Sequence, residues 1–410
     1  MTRSGLLRNR GVRGLIAAES ISMAGSQMTY IVLPWFVLTT THSPIKTSIV
    51  IAAEMAPVAV LGLLSGTLVS RIGARRTMLV SDLARAALLA AIPTLHLLDV
   101  LSFPLLVALV FGIGVFMVPH ATAQRVIVPE LVGEDDARVG EVQSLLQAAV
   151  AVAGIVGPPL GGALIPVIGE TNVLYFDAAT YVVSFALMAG LVRPRFAAVR
   201  EEGADRGIKA GVRFLFRDRL LRVWMLSITG MNVVWSAFAV TFPVLVLERY
   251  GDRPDVLGWI FGGFGAGAVL GSIASFRVIG RFDRIVLATG AAIGQTAVLW
   301  VLLPDLPWPV VAGAAAVVGA FSPLLNSTVI TTRTMRTPVQ LRPSVHAAAV
   351  TVALILAPVG ALAAGPALTH LGLQVVVGGI LVANTLCGIA FAAAGLHERR
   401  LPGTAALEQS

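Results

Sequence analysis

The sequence predicts an all-α membrane protein, with 12 transmembrane helices in two pseudo-symmetric six-helix bundles. Composition and the spacing of apolar segments carry this prediction. Of the 410 residues, 56% are hydrophobic and only 13% are charged, whereas charged residues make up about a quarter of an ordinary soluble chain. One spanning helix takes about 20 residues, so twelve helices use roughly 240 residues and leave room for short loops.

The apolar segments follow one another along the whole chain. We predict spans at residues 14–40, 45–69, 77–98, 103–126, 138–167, 171–192, 220–248, 255–279, 284–303, 308–332, 344–370 and 373–395. The longest polar break gives a bundle at 1–193, a cytoplasmic linker at 194–219, a bundle at 220–396 and a cytoplasmic tail at 397–410. Prolines and glycines recur in the two halves about 200 residues apart, which supports duplicated bundles.

Within the linker, residues 207–216 have the apolar spacing of a short amphipathic helix on the membrane surface. Ile208, Val212 and Leu215 lie on one face of that predicted helix.

Positive charges predict how the spans are oriented. Lys46, Arg249 and Arg253 fall on one side of the membrane and Arg85 falls within a span, while the rest of the 30 Lys and Arg residues fall on the side of both termini. Because positive loops face the cytoplasm, both termini are expected there. The net charge of +8 is therefore a topology signal and indicates no nucleic-acid partner. The arginine-rich composition is typical of a GC-rich bacterial genome, so we expect the protein to lie in the bacterial plasma membrane. We also expect a monomer.

The connection between the second and third spans holds the most specific motif. Residues 66–76 read Gly-Thr-Leu-Val-Ser-Arg-Ile-Gly-Ala-Arg-Arg, and the glycines permit a tight turn and a close approach of two helices. The spacing resembles the loop of the major facilitator superfamily, Gly-x-x-x-Asp-Arg-x-Gly-Arg-Arg/Lys, with Ser70 in place of the usual aspartate. A loop that is basic only because of membrane orientation would explain the arginines but not this spacing.

This resemblance implies a gate at the cytoplasmic end of the first bundle. Asp82 and Arg85 lie three residues apart, so they can meet on one helix face. We expect them to join the loop arginines in an ion-pair cluster, in which Asp82 or Glu130 supplies the negative charge that Ser70 lacks. A static pair that orients the helix is the alternative. The gating candidates are Gly66, Ser70, Arg71, Gly73, Arg75, Asp82, Arg85 and Glu130.

Other motifs resemble the enterobactin-exporter-like and macrolide-efflux branch of the superfamily. They are Ser81-Asp-Leu-Ala-Arg-Ala86, Pro129-Glu-Leu-Val132, Asp177-Ala-Ala-Thr-Tyr181 and Gly211-Val-Arg-Phe-Leu215. The fifth span reads Gly157-Pro158-Pro-Leu-Gly161-Gly162 and resembles an element of the superfamily's antiporters. A packing seam between helices is the alternative. The resemblance implies alternating access, with the two bundles rocking about a central cavity.

Ionisable groups inside apolar spans are costly, so they are functional candidates. Glu54 lies near the middle of the second span, where apolar surroundings disfavour its charged form, and it is the first candidate for proton coupling. A neutral carboxyl that is hydrogen-bonded to a neighbouring helix is the alternative. Glu19 on the first span is the second candidate, for a proton or a cationic substrate, unless it pairs with a basic residue such as Arg85.

Polar residues on both halves are candidates for a substrate cavity. Those on the first span share one helix face with Glu19, and the others lie on spans seven, nine and ten. The candidates are Ser22, Ser26, Tyr30, Asn232, Trp235, Gln295 and Asn326.

Patterns for other chemistry are missing from the sequence. The histidines at 42, 96, 120, 346, 370 and 397 have no metal-ligand spacing, and Cys387 is the single cysteine. A phosphate-binding loop is absent, and no constellation typical of an enzyme stands out. Residues 262–267 contain a glycine-rich run that is explained by close packing in a membrane helix. We therefore expect no enzyme, no metal and no cofactor.

Together these features predict proton-coupled efflux of a hydrophobic or amphipathic small molecule, such as an antibiotic, a siderophore or another metabolite. The partners are then the small molecule, protons and the lipid bilayer. A proton-coupled uptake symporter of the same fold is the alternative. A membrane sensor or assembly subunit without transport is a more remote one, because only the linker and the tail offer room for docking.

Overall fold

A computed structural model describes residues 9–62, 64–133, 135–194, 196, 204–278 and 281–400. Throughout these residues the regular structure is helical. The helices are α1 (Arg10–Thr41), α2 (Pro44–Leu61), α3 (Ser65–Ile72), α4 (Ala74–Leu97), α5 (Phe103–Val132), α6 (Asp136–Ile168), α7 (Glu170–Leu191), α8 (Ala204–Arg217), α9 (Arg219–Tyr250), α10 (Pro254–Val278), α11 (Arg284–Leu299), α12 (Trp308–Arg336), α13 (Arg342–Leu354), α14 (Ala357–Leu371) and α15 (Leu373–Arg399).

Eleven membrane-spanning segments are found among the described residues by length and hydropathy. The segment Ser344–Leu371 counts as one of them, although it contains both α13 and α14. The remaining predicted span, at 45–69, corresponds to α2 and α3 together. The twelve predicted spans therefore each have a helical counterpart.

The turn after the second span is shorter than predicted. Helix α3 continues to Ile72 and α4 begins at Ala74, so only Gly73 interrupts the helices. Gly73 has a φ of 91°, a conformation that glycine adopts without steric cost. A Cβ atom at Gly66 would meet no atom within 4 Å. The predicted close approach of two helices at Gly66 is therefore wrong for this structure.

Contacts divide the chain into two compact units. The first unit comprises Met1–Glu201 with Gly251–Trp259, and the second comprises Glu202–Tyr250 with Ile260–Ser410. In the first unit, α1 packs against α6 and α7, and α4 packs against α5 and α7. In the second unit, α9 packs against α14 and α15, and α11 packs against α12 and α15. Each unit thus has its own helical core.

Part of the predicted linker is a helix of the second unit. The amphipathic helix predicted at 207–216 is confirmed as α8. Its residues Val212 and Leu215 pack in an apolar cluster with Val345 on α13, and Gly211 lies against the main chain of Ser344. The predicted position on the membrane surface is therefore wrong, because this apolar face is covered by protein. The side chain of Ile208 lies outside the described residues.

Helices α10 and α12 meet along a seam of small residues. Gly263, Gly267 and Gly271 recur every fourth residue of α10, and each would place a Cβ atom against a main-chain carbonyl of α12. The α12 partners have the same spacing and are Ala312, Ala316 and Ala320. Small residues at this spacing let two helix backbones approach closely. The close-packing interpretation of the glycine-rich run is confirmed.

Candidate functional site

Four ionisable side chains from three helices meet in the interior of the first unit. Glu19 comes from α1, Asp82 and Arg85 come from α4, and His120 comes from α5; we call these four residues the buried network. Their exposed fractions are 4%, 0%, 5% and 6%, respectively. Helical spacing explains part of the arrangement, because residues three apart on α4 face the same way.

The four side chains are joined by short polar contacts. Arg85 Nη2 lies 2.6 Å from Asp82 Oδ1 and 3.0 Å from Nδ1 of His120. On the other side of the imidazole ring, His120 Nε2 lies 3.0 Å from Glu19 Oε1. Gln124, one turn along α5 from His120, donates to Glu19 Oε2 at 2.7 Å. The histidine therefore connects the Asp82–Arg85 pair to Glu19 and links α1, α4 and α5.

Helix α7 completes the surroundings of the network. Ser184 donates to Asp82 Oδ2 at 2.7 Å, and the guanidinium of Arg85 lies 4.4 Å from the ring centroid of Tyr181. The Tyr181 hydroxyl is hydrogen-bonded to Ser26 on α1 at 2.9 Å. One connected set of polar contacts thus joins four helices of the first unit, α1, α4, α5 and α7.

The contacts also indicate where the histidine carries its proton. A guanidinium can only donate hydrogen bonds, so Nδ1 of His120 accepts from Arg85 and the ring proton is on Nε2, facing Glu19. In this form the network holds two carboxylates and one guanidinium, a surplus of one negative charge. Such a charge is costly among apolar helices. The network can therefore accept one further positive charge.

Glu54 lies on α2 outside this network. Its side chain is partly buried, and it interacts electrostatically with Asp177, Tyr30 and Tyr181. Asp177 is fully buried and accepts a hydrogen bond from Thr29 at 2.5 Å. The two predicted proton-coupling residues therefore occupy different surroundings: Glu19 is held by hydrogen-bond donors, whereas Glu54 lies outside the network and interacts electrostatically with another carboxyl group.

The gating candidates are distributed differently from the prediction. Asp82 and Arg85 do form the expected ion pair, but within the described chain the other side chains that it contacts are His120, Ser184 and Tyr181, not Arg71 or Arg75. The reason is depth, since Asp82 lies eight residues, about 12 Å, into α4. The predicted cluster with the loop arginines is wrong in this structure.

Arg75 has main-chain partners instead of a carboxylate. It donates from Nε to the carbonyl of Val192 at 2.5 Å and from Nη2 to that of Ala189 at 2.7 Å. Ser70 is exposed and donates to the Thr67 carbonyl of its own helix. The expectation that Asp82 or Glu130 replaces the missing aspartate is therefore wrong for Arg75, which instead binds carbonyls at the end of α7.

The antiporter-like element of the fifth span forms a close packing seam. Gly157 and Gly161 lie against α1, at Gln27 and Met28 respectively. Gly162 lies against the main chain of the segment Gly251–Trp259, which belongs to the same unit. Pro158 lies inside α6. The association of this element with antiport stays a prediction.

The cavity candidates have separate surroundings. In the first unit Ser22 is buried and Tyr30 is 39% exposed, while Ser26 also donates to the Ser22 carbonyl. In the second unit Trp235 lines a small apolar pocket with Phe242 and Phe264.

The other second-unit candidates do not line this pocket. Asn232 donates to the Ile228 carbonyl of its own helix, and Asn326 donates to Ser322, also on its own helix. Gln295 has a buried Oε1 atom without a hydrogen-bond partner in the described chain.

Sequence analysis missed three residues of the site: His120, Gln124 and Ser184. His120 could have been found, because it lies in the fourth apolar span and ionisable groups there are functional candidates. Its spacing from the other histidines fits no metal site, so that pattern does not reveal it. Gln124 and Ser184 carry no such signal, since neutral polar residues are common in membrane helices.

Comparison with known proteins identifies the family. Residues 15–253 match the sequence pattern of the Major Facilitator Superfamily. The chain belongs to this superfamily. It is therefore a multi-pass membrane protein of a transporter family.

Two similar relatives within the superfamily carry the same name. The chain is 28% identical to multidrug efflux pump Tap of Mycolicibacterium fortuitum over 374 residues, covering 88% of this chain and 90% of the relative. It is also 28% identical to multidrug efflux pump Tap of Mycobacterium tuberculosis strain H37Rv, covering 89% of both chains.

Solved structures of other transporters share the fold. A mutant of the nucleoside transporter NupG has a TM-score of 0.80 at 10% identity, covering 93% of this chain and 99% of that one. A bacterial homologue of the human lysosomal transporter Spinster has a TM-score of 0.70 at 13% identity, covering 96% and 98%. The predicted fold of the superfamily is confirmed.

Proposed function

We propose that the protein exports hydrophobic or amphipathic small molecules, antibiotics among them, in exchange for protons by alternating access. The observation that carries this proposal is the surplus negative charge of the buried network. A transporter of this superfamily whose relatives are named multidrug efflux pumps has a use for such a group, because a proton or a cationic cargo can neutralise it. Competition between the two for one charge supports exchange in opposite directions.

The proposed coupling residues are Glu19 in the buried network and Glu54 outside it. Both lie in helices of the first unit, where a carboxylate is costly unless it is protonated or paired. The protein would work in the bacterial plasma membrane with both termini in the cytoplasm. The partners would be the cargo, protons and the bilayer, and the protein would act as a monomer.

Transport into inside-out membrane vesicles tests this function. Vesicles that acidify their interior should accumulate ethidium or erythromycin when they contain the protein, and a protonophore should abolish the accumulation. Glu19→Gln and Glu54→Gln should each reduce it at least tenfold, because glutamine supplies no negative charge for a proton or a cation to neutralise. The exposed Glu248 gives the control Glu248→Gln, which should keep normal transport.

Three results would contradict parts of this proposal. Intact cells that gain more cargo when they produce the protein would show uptake and contradict export. Export that persists with a protonophore would contradict proton coupling. If both glutamine variants kept full proton-driven export, the coupling residues would lie elsewhere.

A further inference from the structure

We infer that His120 is the group of the buried network that takes up the transported proton, and that this proton moves the His120 contact from Arg85 to Asp82. The inference rests on the proposed function, since it names the proton site of that exporter. It follows from the two neighbours of a single atom, Nδ1 of the imidazole ring.

Nδ1 of His120 faces one donor and one acceptor. It lies 3.0 Å from Arg85 Nη2 and 3.4 Å from Asp82 Oδ1. Without a proton, Nδ1 accepts from Arg85 and has no hydrogen to donate to Asp82. With a proton, Nδ1 can only donate, so it leaves Arg85 and turns to Asp82 Oδ1. The proton adds one positive charge, and the network becomes neutral.

The carboxylates of the network are less suited to take up this proton. Glu19 accepts hydrogen bonds on both oxygens, from His120 and Gln124. Asp82 also accepts on both, from Arg85 and Ser184. Hydrogen bonds to a carboxylate favour its charged form. Nδ1 is the atom whose protonation creates a new contact without removing any donor from a carboxylate.

The other helices against α5 add no competing group to this site. Helix α2 carries Glu54 and Lys46, and helix α3 carries Arg71. Helix α6 carries Asp136, Arg138 and Glu141 near its start. Within the described chain none of these forms an ion pair with His120, whose ion-pair partners are Glu19 and Asp82. The protonation of His120 is therefore governed by Glu19, Asp82 and Arg85.

Protonation at Nδ1 changes contacts between helices. Arg85 loses its hydrogen bond to α5 and keeps its contacts with Asp82 and the Tyr181 ring. Asp82 on α4 gains a charged hydrogen bond from α5. The proton thereby loosens one link between α4 and α5 and tightens another. This gives proton uptake a direct effect on helix packing.

Replacement of the histidine in proteoliposomes tests the inference. His120→Gln keeps a polar side chain but cannot become charged, so accumulation against a gradient should fall at least tenfold. Exchange of labelled for unlabelled cargo needs no net proton movement and should persist, which also shows that the variant is folded. The matched control is His96→Gln, whose histidine packs edge-on against Phe36 outside the network. It should keep both activities.

Each outcome of this test separates the two proposals. If the wild-type protein shows no proton-driven export, the proposed function fails. If the wild type exports and His120→Gln still accumulates cargo with the wild-type proton dependence, the inference about His120 fails alone.

Nitrogen NMR on protein with labelled histidines gives a second test that needs no His120 variant and no cargo. The His120 signal is the one that survives each single change to glutamine at the other histidines, which are His42, His96, His346, His370 and His397. It should report a ring protonated only at Nε2 in alkaline solution and a doubly protonated ring in acid. A His120 ring that stays neutral throughout the pH range of transport would overturn the inference.

Discussion

Among substitutions that replace one charged residue of the buried network with a neutral one, loss of the Arg85 guanidinium should destabilise the protein most. In Arg85→Gln two carboxylates, Glu19 and Asp82, remain with no permanent positive charge. Even a protonated His120 leaves one negative charge unbalanced. Loss of one partner from a buried ion pair costs about 3–5 kcal/mol, and the 6% and 0% exposure of the Arg85 and Asp82 side chains places this pair in that class.

The charge balance predicts an unusual order among the variants. Asp82→Asn leaves Glu19 and Arg85, which balance each other when His120 is neutral. Its cost is that hydrogen bonds from Arg85 and Ser184 then meet a neutral instead of a charged acceptor, about 1–2 kcal/mol in all. The double variant Asp82→Asn/Arg85→Gln leaves one carboxylate and one titratable histidine, the same surplus as the wild type. The double variant should therefore be more stable than Arg85→Gln alone.

Denaturant unfolding of the purified protein in detergent measures this order. The coupling energy from the double-mutant cycle should be roughly 2–3 kcal/mol, the upper range for contacting residues. Arg71→Gln is the matched control, since Arg71 is exposed and surface changes stay within about 0.5 kcal/mol. If the double variant were less stable than Arg85→Gln by the full cost of Asp82→Asn, the charge-balance argument would be refuted.

Two further substitutions test packing and capping. Gly267→Val should push α10 away from Ala316 and destabilise the second unit by about 1–3 kcal/mol. The control Gly290→Val, where a Cβ meets open space, should cost far less. Equal losses of stability in the same unfolding assay would contradict the close packing of α10 and α12. Arg75→Gln should leave the carbonyls at the end of α7 unpaired and destabilise the protein by about 1–3 kcal/mol. Arg76 is exposed, so the control Arg76→Gln should cost little. Hydrogen exchange at the end of α7 should rise only in Arg75→Gln.

Much of the fold could be predicted from local sequence, because membrane spans are defined by length and hydropathy. The twelve spans are examples. The turn predicted at 66–76 was too long for a physical reason. Gly73 alone separates the two helices, so α3 and α4 extend further than the hydropathy pattern indicates. The membrane-surface position of 207–216 was wrong because an amphipathic pattern reveals an apolar face but not what covers it.

The site was only partly predictable, for a related reason. The pair Asp82–Arg85 follows from spacing on one helix, and Glu19 follows from its place in an apolar span. The contact that joins them passes through His120 on another helix, 35 residues after Arg85. Such a contact depends on the rotation of α5 against α4 and α1, which no local pattern determines. Glu54 illustrates the same limit, since its electrostatic interaction with Asp177 depends on tertiary packing.

The loss of the family's usual aspartate at Ser70 is compensated by a helix end. The last carbonyls of a helix have no partners within it and carry a partial negative charge from the aligned peptide dipoles. Arg75 binds two such carbonyls, at Ala189 and Val192, and so satisfies the end of α7 and its own charge together. A carboxylate at position 70 is then not required to hold Arg75. Because the partner atoms belong to the main chain, mutation of a side chain on α7 cannot remove them, and the anchor tolerates sequence change there.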